Sequence, residues 1–268
     1  MSARTLLATA ALAAGFGTFT SISFASIPWA QPNGSSPGNV FTYANGGSDA
    51  GLFGDPVVSD GGFTFFPSNF FAESSNGVAA TKRDRMFVTI NLPQNAPAGS
   101  RLLGIQVSEL GDYSILGTGS VKVSGLLTAT ILGTTAANPG SIVGITYTDT
   151  MDADGNVFFG SDPNPVNDYG VTPAMPVSVT NGSVDGEWTA TMMVSVPANF
   201  QATSLQIVMN NVLQATSGTN STSFIEKKVL GSGTDPGVKI RIFQPDVPEP
   251  TTLTALGGVA LLVLRRKR

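Results

Sequence analysis

Trp188-Thr189-Ala190-Thr191-Met192-Met193-Val194-Ser195-Val196 is the stretch that decides the fold. Trp188, Ala190, Met192, Val194 and Val196 fall on one side of an extended chain, and Thr189, Thr191 and Ser195 on the other. A strand turns successive side chains to opposite faces, so this pattern marks a strand with one face on a core. The same period recurs outward in both directions. Met86, Val88, Ile90 and Leu92 alternate, as do Leu103, Ile105 and Val107, and Leu205, Ile207 and Met209. Val238, Ile240 and Ile242 alternate with Lys239, Arg241 and Phe243, and 121–132 is a longer Val/Leu/Thr-rich run. No stretch between residues 26 and 246 shows helical periodicity.

Turn chemistry separates these runs: Asn45-Gly46-Gly47, Asp60-Gly61-Gly62, residues 93–99, Asn138-Pro139-Gly140, Asp154-Gly155 and Asn181-Gly182. Asp154-Gly155 sits between 142–148 and 156–159 and reads as a hairpin. Residues 161–176 hold four prolines and read as the longest loop, and 31–39 as a flexible lead-in. Strands at this spacing without helices predict an all-β fold, a single antiparallel β-sandwich or jelly roll. An all-β unit of ~200–250 residues commonly forms one domain, so 26–246 is read as one.

The chain has 268 residues, no cysteine and no histidine. Thiol chemistry, disulfides, Ser-His-Asp triads and the usual zinc and iron ligand sets are therefore excluded. Five of the fourteen basic residues, Arg4 and 265–268, lie at the ends, whereas all eighteen acidic residues lie between them. A net-negative middle repels phosphate backbones, so no nucleic-acid partner is expected.

Both ends read as addresses. Arg4, the apolar stretch 6–19 and the small residues Ser23 and Ala25 form a secretory signal peptide, 1–25, with cleavage after Ala25. At the other end, 247–268, Pro248-Glu249-Pro250 precedes the apolar run 251–264 and the cluster Arg265-Arg266-Lys267-Arg268. As a short C-terminal helix, that run would span about 21 Å against a hydrocarbon core of ~30 Å. It suits transient residence of Thr251–Leu264 in the inner membrane, with the cations on the cytoplasmic side. The motif, short apolar helix and basic cluster, in this order, resemble the PEP-CTERM sorting signal. The resemblance covers the tail alone. It implies recognition of Pro248, Glu249 and Pro250 by an exosortase, in a bacterium with a Gram-negative-type envelope. It also implies transfer to the cell surface or extracellular matrix.

Four candidate sites remain. Asp149, Asp152, Asp154 and Asn156 crowd oxygen ligands around Gly155, which calcium would use; the EF-hand pattern is not met, and an acidic hairpin tip is the plainer explanation. Residues 63–71 contain five phenylalanines. Phe65, Phe66 and Phe70 either stack on a ligand or enter the core. Lys82, Arg83 and Arg85, with Lys227-Lys228, either meet an acidic polysaccharide or are solvated strand ends. Glu109, Asp112 and Tyr113 sit close in sequence, and paired carboxylates can cleave glycosides without histidine, although two of eighteen carboxylates lying near each other is also expected by chance. The sequence reading is a non-enzymatic surface or matrix protein that binds polysaccharide or neighbouring proteins. A carboxylate-based hydrolase of matrix glycans is the alternative.

Overall fold

The alternating runs become long strands, and the positions of glycine and asparagine decide where those strands bend. The computed structural model describes residues 26–151, 170–228 and 237–245. Among them the strands are β1 (Ile27–Pro28), β2 (Gly34–Ser35), β3 (Thr42–Ser48), β4 (Val57–Ser59), β5 (Gly62–Phe65), β6 (Phe71–Ser75), β7 (Ala80–Asn91), β8 (Gly104–Thr134), β9 (Thr146–Met151), β10 (Gly170–Thr172), β11 (Val177–Ser195), β12 (Ala202–Ser217), β13 (Thr222–Lys227) and β14 (Val238–Phe243). All join one antiparallel sheet whose main order is β1-β3-β7-β12-β8-β14-β5-β4. The signal peptide, the sorting tail with its apolar run, and Asp154-Gly155 lie outside the described residues.

The sheet is curled into two facing layers, and β8 runs through both. Residues 104–116 of β8 pair with β11 on one side and with β14 and β13 on the other. Residues 119–134 pair with β12 and, over part of that length, with β9. The change of neighbours falls at Gly117-Thr118-Gly119. Gly117 has φ +92°, and a Cβ there would lie 2.3 Å from Ser221 Oγ. A Cβ on Gly119 would lie 2.2 Å from Ser223 Oγ. The Thr118 N–H donates to Ser221 Oγ at 2.9 Å, and the Gly218 N–H to the Thr118 carbonyl at 2.6 Å. Neighbouring chains bend at the same level: Asn181 (φ 53°) in a bulge of β11, Asn220 (φ 54°) between β12 and β13, and Asn76 (φ 51°) with Gly77 (φ 87°) between β6 and β7. Four chains thus pass side by side from one layer to the other.

Aromatic packing closes the opposite side. β1 and β3 stand at one end of the strand order and β5 at the other, yet their rings meet. Trp29 packs on Phe63 and Phe65 with centroids 5.4 and 5.6 Å apart, and Tyr43 meets Phe63 edge-on at 5.4 Å. Phe53 joins Phe65 and Phe70 to this group. Such pairs add about 0.5–1.5 kcal/mol each beyond burial, and here they hold two sheet edges face to face. The result is an all-β antiparallel sandwich.

Several local expectations change. Asn45-Gly46-Gly47 and Asn181-Gly182 are bulges inside β3 and β11, not connections, because positive φ serves a bulge as well as a turn. The strand expected over 142–148 begins only at Thr146, after a one-turn 3-10 helix at Pro139–Ser141. Residues 31–39 are tied down: they contain β2, Ser36 N–H donates to the Phe41 carbonyl, and Asn33 Oδ1 accepts from the Asn45 N–H. β10 enters the segment read as the longest loop.

Gly117→Ala is expected to lower the unfolding free energy by roughly 1–3 kcal/mol, the usual cost of a strained backbone conformation. Gly140→Ala, at an exposed glycine with nothing within 4 Å of an added Cβ, serves as the near-neutral control, within about 0.5 kcal/mol. Paired urea melts measure both.

Candidate functional site

β7 and β12 pair in register, with Arg85 opposite Asn210 and Arg83 opposite Val212. Period two puts all four on the outer face of this layer. Where β3 ends, Asp49 and Ala50 cross beside them, and together they wall a cleft of about 610 Å³. That is within the ~300–1,000 Å³ range of ligand sites.

Its two arginines have different fates. Arg85 is committed: its guanidinium meets Asp49 through Nε–Oδ2 at 3.0 Å and Nη2–Oδ1 at 3.1 Å. The buried Asp84 carboxylate fixes the crossing segment by accepting the Ala50 and Leu52 N–H groups, both at 2.8 Å. Arg83 is exposed and has no ion pair among the described residues. A guanidinium offers paired donors that match a carboxylate, and the Asn210 amide beside it offers a donor and an acceptor. Next to the cleft β8 places Leu126 opposite Asn210 and Ser124 opposite Val212, and the threonines Thr128, Thr130, Thr146 and Thr148 lie farther along the same face, outside the cleft.

Of the basic cluster expected from sequence, the structure brings Arg83 and Arg85 together and separates the rest. Lys82 has the opposite parity on β7 and points away from the cleft. Lys227 is fully buried and ion-paired with Glu109. Lys228 lies on the outer face of the other layer and bridges Asp112 at 2.9 Å and Glu187 at 2.6 Å. These hydrogen bonds, to Glu187 first and then Asp112, hold its ammonium above the ordinary lysine range.

The proposed carboxylate pair dissolves for the same geometric reason. Glu109 and Asp112 differ by an odd number of residues on one strand, so Glu109 enters the core and Asp112 faces out. Tyr113 is buried on the core side. Two carboxylates flanking a glycosidic bond must share one cleft, and these do not.

The phenylalanine segment splits. Phe65 and Phe70 are 0% and 1% exposed and belong to the aromatic core, which corrects their reading as ligand-facing residues. Phe66 alternates outward and remains 36% exposed. Phe71, the last ring of that segment, is exposed and pairs with the half-buried Phe224, centroids 5.9 Å apart, on β6 and β13. The strands β6, β13, β8 and β11 carry Glu73, Glu226, Asp112, Asp185 and Glu187 around it. Burial, and then the Asp112 charge, raise the pKa of Glu226.

Asp149 is not a free loop ligand. It is 4% exposed, and its carboxylate accepts the Met193 N–H at 2.7 Å and the Thr150 N–H at 2.8 Å. Asp152, Asp154 and Asn156 lie outside the described residues, as do Ala25, Pro248, Glu249 and Pro250. Among the described residues no three acidic side chains gather as a metal site.

No family model matches the chain, and neither does any curated protein. Two solved structures are similar at a low level. One is TmCBM61 in complex with beta-1,4-galactotriose, 9% identical, covering 81% of this chain and 91% of that one, with a TM-score of 0.21. The other is the infectious bursal disease virus Gx strain, 11% identical, covering 75% of this chain and 53% of that one, with a TM-score of 0.16. Neither likeness carries an argument at these scores.

Because the folded-state pKa of Glu226 is raised, its charged form costs stability above that pKa and nothing below the unfolded value. Glu226→Gln is therefore expected to raise the melting temperature at pH 7. The gain should vanish as the pH falls below the ordinary glutamate range, about 4.3. Thermal melts from pH 3 to pH 8 measure it.

Proposed function

We propose that the chain is a non-enzymatic, exported protein of the cell surface or extracellular matrix whose sandwich binds polysaccharide. The observation that carries the reading is the cleft: Arg83, without an ion-pair partner among the described residues, shares it with Asn210. A uronic-acid polymer presents carboxylates to the guanidinium and hydroxyls to the Asn210 amide. The hydrolase alternative loses its support once Glu109 and Asp112 face opposite ways. Calcium at Asp152, Asp154 and Asn156 would add to the binding reading and is not required by it.

The address is proposed from the terminal segments. A signal peptide ending at Ala25 would export the chain. Pro248, Glu249 and Pro250 would present it to an exosortase while 251–264 rests in the inner membrane.

Titration calorimetry of the full chain with polygalacturonate, and with neutral dextran as control, tests the binding. Saturable binding to the acidic polymer alone is expected. Arg83→Ala should weaken it about tenfold or more, because hydrogen bonds to charged groups are worth about 1.5–3 kcal/mol. Lys82→Ala should not. Equal binding of both polymers, or of neither, would sink the reading. Separately, Pro248→Ala/Glu249→Ala should trap the intact chain in the inner membrane of its own host, whereas the native sequence should appear outside it. Immunoblots of membrane and surface fractions read the difference.

A further inference from the structure

The largest departure from an apolar core is a trio of polar side chains that meet between the layers. Lys227 comes from β13 in one layer, and Asn211 from β12 in the other, where it pairs with Asp84 and Gly125. Glu109, on β8 beside β13, reaches both: Lys227 Nζ donates to Glu109 Oε2, and Asn211 Nδ2 donates to Glu109 Oε1. The ammonium sits 5.3 Å from the Phe70 ring centroid and 5.2 Å from that of Trp188. Lys227 and Asn211 are 1% and 0% exposed, and Glu109 3%. Asn211 Oδ1 is buried and accepts no hydrogen bond.

We propose that Lys227 and Asn211 condense into an isopeptide bond, with Glu109 as the proton carrier and ammonia as the product. One carboxylate holds an amine and a carboxamide side by side in a buried space, walled at the ammonium by Phe70 and Trp188. Holding reactants in this way replaces a bimolecular encounter with an intramolecular one. Burial lowers the lysine pKa, which favours proton transfer to Glu109 and a neutral, nucleophilic amine.

The step balances without a co-reactant. The ammonium gives one proton to Glu109. The Nζ lone pair forms the new bond to Asn211 Cγ, and the carbonyl π electrons move to Oδ1. Glu109 passes its proton to Nδ2 and takes a second from Nζ. As the carbonyl re-forms, the Cγ–Nδ2 bond breaks and its electrons leave with ammonia. The products are a secondary amide, ammonia and a protonated Glu109 that can donate to the new carbonyl. Two buried charges disappear, so the low-dielectric surroundings that penalise the ion pair favour the product. The chain has no cysteine, and the bond would supply the cross-link between layers that disulfides give other exported proteins.

The full chain, purified after overnight incubation, is digested under denaturing conditions with chymotrypsin, which can cut at Leu213 and Phe224 between the two residues. The expected result is one branched species joining the Asn211 and Lys227 peptides, lighter than their sum by one ammonia. Trypsin should fail to cut after Lys227. Separate peptides at their sequence masses would overturn the proposal. So would a species lighter by one water that joins Lys227 to Glu109. Glu109→Gln and Lys227→Arg should both abolish the branch, and their circular dichroism shows whether they fold. A folded Glu109→Gln protein that still cross-links would remove Glu109 from the reaction.

Discussion

One strand has to serve two layers, and the rest of the sandwich is arranged around that requirement. On β8 the inward positions keep odd parity throughout: Ile105, Val107, Tyr113 and Ile115 before the bend, Val121, Val123, Leu127, Ala129 and Ile131 after it. A bend made by a one-residue slip would turn every later side chain outward. The chain instead bends at the inward positions 117 and 119, where Ser221 and Ser223 leave no room for a Cβ. Gly111 obeys the same logic one step earlier, since a Cβ there would lie 2.3 Å from the Trp188 indole. Trp188 can lie flat over β8 and donate to the Glu226 carbonyl at 3.0 Å because that position is bare. The inward row of β8 thus reads as a relief map of what packs against it.

This explains which features could be seen in the sequence. The alternation at 188–196 and its companions survives almost intact, because burying one face of a strand imposes period two whatever its neighbours are. Joining 103–107 to 121–132 was out of reach, since Gly117 and Gly119 interrupt the apolar alternation between them and only the partner serines show a bend there. Asn-Gly pairs were read as connections at 45–47 and 181–182. The dihedral they supply was right, and its use in a bulge depends on the strands alongside. The phenylalanine run was ambiguous for a related reason: Pro67 resets the phase of the chain, so the inward face of β5 does not predict that of β6.

The polar residues were the least legible, because their meaning is set by partners far away in sequence. Lys227 and Lys228 are adjacent and look like one basic patch, yet strand parity sends one into the core and the other to the surface. Glu109 looks like a possible acid beside Asp112 until β13 and β12 place an ammonium and an amide on its two oxygens. An apolar trio of similar volume is often as stable as a buried ion pair or more so. Lys227, Glu109 and Asn211 are therefore better explained by what they specify or become than by stability alone.

The two outer faces also divide the charge of the molecule. The acidic residues of β6, β13, β8 and β11 gather on one layer, with Lys228 already spent between Asp112 and Glu187. Arg83 and the neutral threonine rows lie on the other. Exposed cations stand on both layers, Lys239 and Arg241 on β14 of the first and Lys122 on β8 of the second, so what sets Arg83 apart is the cleft beside it. Exposed charges more than a Debye length apart, about 8 Å at physiological salt, scarcely sense one another. The acidic face would therefore not weaken a contact made at Arg83. A net-negative chain could in this way hold an acidic polymer as proposed, provided that the contact is local, and the commitment of Arg85 to Asp49 leaves Arg83 as the unpaired guanidinium of the cleft among the described residues.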